Sequence, residues 1–253
     1  MKKLTTLLVM LLFTAGMAIG QNNEAIIDQL EDGNVATIGQ VGTDHYASID
    51  QDGKEGQLQG TGHKAYIEQL GLNGTGSGVN NEATVEQDYF VGSNPVFHTA
   101  FIDQWGDGNK AYVEQEGNQN GGTADMFQNG IENYAGVYMI HGNTFEADQV
   151  GDYNRIEGVP GGGAYGNEPE DVAYQQGGSA SGAMYTMDFD QMGNNNLIQA
   201  LQQRSTGGGE STISQTGDWN TALSFQNRGD GLYDVINITQ NGYENDAVVH
   251  QTQ

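Results

Sequence analysis

The sequence of 253 residues has no cysteine and only 3 prolines, so disulfide scaffolds and thiolate metal sites are excluded. Basic residues are scarce. Eight Lys and Arg stand against 33 Asp and Glu, a formal charge of −25 that repels a phosphate backbone and excludes nucleic acid as a partner. Long apolar runs are missing beyond the N-terminus, which rules out a polytopic membrane protein. A mean hydropathy of −0.55 and 36% apolar content, diluted by 39 glycines, are poor material for one large globular core. Something other than a bulk core must hold the chain.

What is present begins with a leader. Lys2 and Lys3 precede an apolar run from Leu4 to about Ala15, which closes on Ala18, Ile19 and Gly20 before Gln21. This pattern predicts a secretory signal peptide over residues 1–20 and an exported mature chain over 21–253. Loss of Lys2 and Lys3 takes the formal charge to about −27.

The rest repeats one phrase, Asn-x-Ala-x-Ile-x-Gln-x-Gly. It appears as Asn34, Ala36, Ile38, Gln40 and again as His45, Ala47, Ile49, Gln51. Further copies run through Ala65, Ile67, Gln69; Ala83, Val85, Gln87; Ala100, Ile102, Gln104; and Asn109, Ala111, Val113, Gln115. Near the C-terminus stand Asn220, Ala222, Gln226 and Asn245, Ala247, Val249, Gln251, with Gln128, Gln149, Gln191, Gln215 and Gln240 filling the glutamine slot between. Counted to position 251 there are about eighteen such slots, of which Met139 and Pro160 break the glutamine rule.

A spacing of two sends Asn, Ala, Ile and Gln to one face of a short strand. Between phrases, x-Gly-x-x-Asn supplies a tight reversal, as in Gly106-Asp107-Gly108-Asn109. Identical residues recurring at identical slots gain most by stacking on themselves. The sequence therefore predicts an all-β fold, a two-sheet parallel β-solenoid of about nine rungs with cross-β character. Ala and Ile fill a thin core, and Asn and Gln form amide ladders at its edges. No rung folds alone, since one buried Ile contributes roughly 2–3 kcal/mol while ordering a dozen residues costs on the order of 15 kcal/mol. The repeat is weakest near 147–169, where Pro160 and Gly161-Gly162-Gly163 predict an irregular rung.

The signature Gln-x-Gly-x-x-Asn-x-Ala-x-Ile/Val-x-Gln, intact in Gln104-Gly106-Asn109-Ala111-Val113-Gln115, resembles the curlin family, the subunits of curli, which are extracellular amyloid fibres of Gram-negative bacteria. The resemblance covers nearly all of residues 21–251. It implies a subunit secreted unfolded through an outer-membrane secretion pore, polymerising with itself at the cell surface, with a nucleator subunit as partner, and serving biofilm matrix, cell aggregation and adhesion to host or abiotic surfaces. The alternative is a soluble, monomeric secreted β-solenoid adhesin or calcium-binding repeat protein.

Candidate chemistry is weighed against the repeat. Asp28, Asp50, Glu68, Glu86, Asp103, Glu114, Asp148 and Asp190 share the outward slot between Ile and Gln, so they read as a solvated charged face and not as a catalytic acid pair. No catalytic residue, cofactor or metal site is expected. The turns at Asp107, Asp152 and Asp218 offer oxygens for weak calcium binding at most. His45, His63 and His98 fall in the Asn slot as substitutions, which predicts that His63 stacks beside His98, with a lowered pKa and weak zinc or copper capture. His141 and His250 lie in turn and outward slots. Gly161-x-Gly163-x-x-Gly166 lacks the strand and helix a dinucleotide site needs, and the Asn73 and Asn237 sequons arise by chance. Tyr66, Phe101, Tyr112, Phe127, Tyr138 and Phe225 project from the outer faces.

Overall fold

The computed structural model describes residues 22–30, 33–52, 62–71, 80–89, 97–117, 121–140, 142–158, 173–176, 185–203, 208–227 and 233–252. The predicted leader, Pro160, the Gly161–Gly166 motif, His141 and the Asn73 sequon lie outside these residues.

Eighteen strands follow one another: β1 (Glu24–Gln29), β2 (Val35–Val41), β3 (Tyr46–Asp52), β4 (Lys64–Leu70), β5 (Glu82–Tyr89), β6 (Thr99–Asp107), β7 (Lys110–Gly117), β8 (Thr123–Ile131) and β9 (Tyr134–Ile140). Then come β10 (Thr144–Val150), β11 (Arg155–Glu157), β12 (Ala173–Gln176), β13 (Tyr185–Met192), β14 (Leu197–Gln203), β15 (Gly209–Asp218), β16 (Thr221–Asn227), β17 (Asp234–Tyr243) and β18 (Asp246–Thr252). Successive strands alternate between two sheets. The first runs β1-β3-β5-β7-β9-β11-β14-β16-β18, with β12 also between β9 and β14; the second runs β2-β4-β6-β8-β10-β13-β15-β17. Every pairing is parallel and repeat slots align: Ala65, Ile67 and Gln69 lie beside Ala100, Ile102 and Gln104. The chain is a two-sheet parallel β-solenoid.

The rung count differs slightly from nine. One sheet has nine levels and the other eight, because β11 and β12 share a single level. β11 pairs with the first half of β14 and β12 with the second. The count of about eighteen slots implies eighteen half-turns, with β11 and β12 on separate ones. At the shared level, however, Gln175 is the residue in register with Met139 and Gln202.

The core is a single thin layer of Ala, Ile, Val, Met and Phe from both sheets. β10 exchanges small for large, with Phe145 in the Ala slot and Ala147 in the Ile slot, and Phe145 meets Phe189 edge-on at 5.9 Å. Slot order varies while the layer remains filled.

The two edges are built differently. Where the second sheet hands over to the first, most connections are tight turns, and a column of glycines with positive φ runs along this edge, including Gly106, Gly130, Gly151, Gly193, Gly217 and Gly242. A Cβ on Gly130 would run into the backbone carbonyl of Gly151 one level up. At this position both φ and stacking distance demand glycine. The opposite edge carries connections of varied length.

Candidate functional site: stacked amide ladders and open strand edges

The glutamine slot of the second sheet forms an unbroken ladder. The Nε2 of Gln40 donates to Oε1 of Gln69 at 2.9 Å, and the same bond continues Gln69 to Gln104, Gln104 to Gln128, Gln128 to Gln149 and Gln149 to Gln191, each at 2.8 Å. It ends with Gln191 to Gln215 at 2.9 Å and Gln215 to Gln240 at 2.7 Å. Each amide sends its other N–H across the corner to a backbone carbonyl of the opposite sheet, as Gln104 does to Glu82 at 3.0 Å. One side chain thus ties neighbouring levels and both sheets together.

In the first sheet, Gln29, Gln51, Gln87 and Gln115 form one ladder segment, with bonds of 2.6, 2.7 and 2.7 Å. Gln202, Gln226 and Gln251 form another. Met139, fully buried, separates them.

The Asn slot of the first sheet is a second ladder along the tight-turn edge. Each side-chain oxygen accepts the backbone N–H one level up: Asn81 from Asn109 at 2.9 Å, Asn109 from Asn133 at 3.1 Å, Asn196 from Asn220 at 3.1 Å and Asn220 from Asn245 at 3.2 Å. Each Nδ2 caps a glycine carbonyl of the turn, as Asn133 does to Gly151 at 2.7 Å. Asn34 starts the corresponding column of the second sheet by accepting from His63 at 3.0 Å.

The structure therefore places all the expected amides in columns. Ala36, Ile38, Ala247 and Val249 at the ends are partly buried, while Ala47, Ile49, Ala65, Ile67, Ala83, Val85, Ala100, Ile102, Ala111, Val113 and Ala222 lie in the core. Asn133, Asn154 and Asn196 belong to the ladder as well. Each stands six residues before a slot at 139, 160 or 202, a signal that reading the repeat backwards from those slots, two of which break the glutamine rule, would have found.

The histidines act as chemical equivalents of Asn. His45 Nδ1 accepts from Asn81 at 3.3 Å, His63 Nδ1 from His98 at 3.2 Å and His98 Nδ1 from Gly122 at 3.0 Å. Burial pushes His63 down to about 4 and also lowers His45, for which Val41, Asp107 and Asp44 act in the opposite sense. With Nδ1 engaged as acceptor, this nitrogen is not open to zinc or copper. His250 stacks on Phe225 at 5.4 Å.

The outward acidic slot is less solvated than the sequence suggests. Asp28, Asp50, Glu86 and Glu114 do lie on successive levels of the first sheet, and Tyr112 donates its hydroxyl to both Glu114 and Glu86. One oxygen of Asp50 and one of Asp103 are buried without a hydrogen-bond partner. Asp103 is in register with Phe127 and lies between Phe101 and Trp105 on its own strand. Burial, followed by neighbouring carboxylates, raises Asp50, and raises Asp88 to about 6. Burial is likewise the main cause raising Asp103, Asp125, Glu146, Asp148, Asp188 and Asp190.

The turn carboxylates serve the stack. Asp152 accepts from the backbone of Ile131 at 2.9 Å, and Asp218 from that of Asn194 at 2.8 Å. No group of three or more His, Asp or Glu that could hold a metal ion gathers among the described residues. On the outer faces, Tyr66 stacks on Phe101 at 5.1 Å, and Tyr138 packs with Leu201 in a small second cluster.

Residues 20–53, which contain β1, β2 and β3, match the family model of the curlin associated repeat. This segment of the chain carries a curlin associated repeat. No curated protein matches the chain. Beyond the matched segment, β4 to β18 repeat the parallel register of the first three strands, so the same winding extends to Thr252.

Both ends of the described winding are open. Among the described strands, β1 and β2 have no neighbour on one side, and β17 and β18 none on the other. The ladders are polar: Gln29 and Gln40 donate into the stack, leaving their Oε1 atoms facing the β1/β2 end. At the opposite end Gln251 donates one N–H to Val235 and keeps a second for another acceptor.

Proposed function

We propose that this chain is the structural subunit of an extracellular, curli-like amyloid fibre, without catalytic activity, whose function is the polymer itself. One observation carries the reading: among the described strands the winding ends in two unpaired edges of complementary hydrogen-bond polarity, so a second copy extends both sheets and both ladders. The proposed leader and the acidic, weakly hydrophobic composition fit a chain exported while disordered and folded on addition to the growing end. A secretion pore and a nucleating subunit are the partners this route requires. Biofilm matrix, adhesion and aggregation are the roles such a fibre serves.

Electron microscopy with thioflavin fluorescence on purified chain 21–253 tests the reading. Unbranched fibres with a thioflavin response are expected within days at tens of micromolar. A chain that stays monomeric under those conditions would instead be a soluble solenoid.

A further inference from the structure

The two sheets hold nine and eight levels, so the described winding has an odd number of half-turns, and its first and last strands, β1 and β18, lie in the same sheet. Each half-turn climbs about 2.4 Å, half the spacing between paired strands. This parity decides how a second copy can dock.

A copy added by translation alone places its β1 on β18. Its β2 then stands about 9.6 Å above β17, two strand spacings instead of one. Each junction would leave a strand-wide gap in the second sheet, with unpaired N–H and C=O groups on both walls. A copy rotated by half a revolution about the long axis places β1 on β17 and β2 on β18, and both sheets continue without a gap. Strand direction is preserved, because the two sheets run in opposite directions across the molecule and the rotation exchanges them.

Resting on the fibre reading above, we propose that the partner surface formed by β17 and β18 takes a second copy of this chain in the half-rotated orientation. Gln251 then offers its second N–H to Gln40 of the next copy. Gln240, which now donates to Asn245 at 2.8 Å, exchanges that bond for one to Gln29 of the next copy. The tight-turn edge of each copy meets the variable edge of the next, so each fibre face alternates between the two sheets. Seventeen half-turns give a rise of about 41 Å per copy.

Engineered cysteines test this in a chain that has none. In the half-rotated junction Asp28 of one copy faces Thr239 of its neighbour. In the translated junction it faces His250. Fibres of Asp28→Cys with Thr239→Cys are expected to oxidise into covalent ladders on a denaturing gel, and those of Asp28→Cys with His250→Cys to stay monomeric. The reverse result overturns the half-rotation while leaving the fibre intact. Helical reconstruction of wild-type fibres gives a second readout: rotation near half a turn with a rise of about 41 Å supports the junction, and rotation near zero overturns it. Failure of all chains to form fibres sinks the fibre reading and the junction together.

Discussion

The backbone N–H of His98 donates to Nδ1 of His63 at 3.2 Å, and the two rings stack with centroids 5.1 Å apart. Nδ1 of His63 must therefore be unprotonated, with the ring proton on Nε2. A protonated ring would set one donor against another. The folded pKa of His63, about 4, lies below its ordinary 6.5, so its stabilising contribution is present above 6.5 and is lost as pH falls through about 4. The double variant His63→Asn with His98→Asn should keep the ladder and remove this acid sensitivity. Nitrogen NMR of wild-type fibres should report the Nε2–H tautomer at neutral pH.

The carboxylates act with the opposite sign. Asp88 has a folded value of about 6 against an ordinary 3.8, so its contribution is complete below 3.8 and lost as pH rises through about 6. Asp50 is shifted the same way. Assembly lag should be shorter at pH 4.5 than at 7.5 in wild type, and this difference should shrink in Asp50→Asn with Asp88→Asn. Equal pH dependence in the two proteins would mean that these groups do not bear on assembly.

Interior ladder amides should matter more than terminal ones. Gln128 accepts from Gln104 and donates to Gln149 and to the Lys110 carbonyl, so Gln128→Met leaves buried polar groups without partners at a cost of about 3 kcal/mol or more. Gln29 has one ladder bond and is partly exposed, so Gln29→Met should cost about 1 kcal/mol or less. Critical concentrations for assembly of the two variants provide the comparison.

Two glycines should respond oppositely to alanine. Gly130→Ala adds a methyl where φ is +141° and the Gly151 carbonyl stands in the way, and should destabilise by about 2 kcal/mol or more. At Gly39 an added Cβ meets nothing within 4 Å. Gly39→Ala should be neutral or stabilising by up to about 1 kcal/mol. Thermal or denaturant loss of β-structure distinguishes the two.

The parallel winding was legible because a period of two fixes the face and a recurring Gln fixes the register: Gln69 beside Gln104 follows from sequence alone. The shared level of β11 and β12 was not, since slot spacing cannot tell two half-turns from one half-turn interrupted by an insertion. The burial of one Asp103 oxygen was hidden for a different reason. Asp103 lies beside Phe127, in register on the next level, and the repeat describes the inward slots while leaving outward neighbours free to vary. The acceptor role of the histidines was half visible: their slot was evident, but not that imidazole Nδ1 reaches the position of an Asn oxygen.

The most direct test of the account is solid-state NMR of fibres carrying carbonyl 13C only at tryptophan. The chain has 2 tryptophans; Trp105 lies on β6, and Trp219 follows β15, four levels further along the second sheet. In a solenoid the strand stacked on each label belongs to a different part of the same chain, and the labels stand at least about 19 Å apart. Negligible 13C–13C dipolar dephasing is therefore predicted. Strong dephasing at about 4.8 Å, the signature of identical chains stacked flat and in register, would contradict the solenoid.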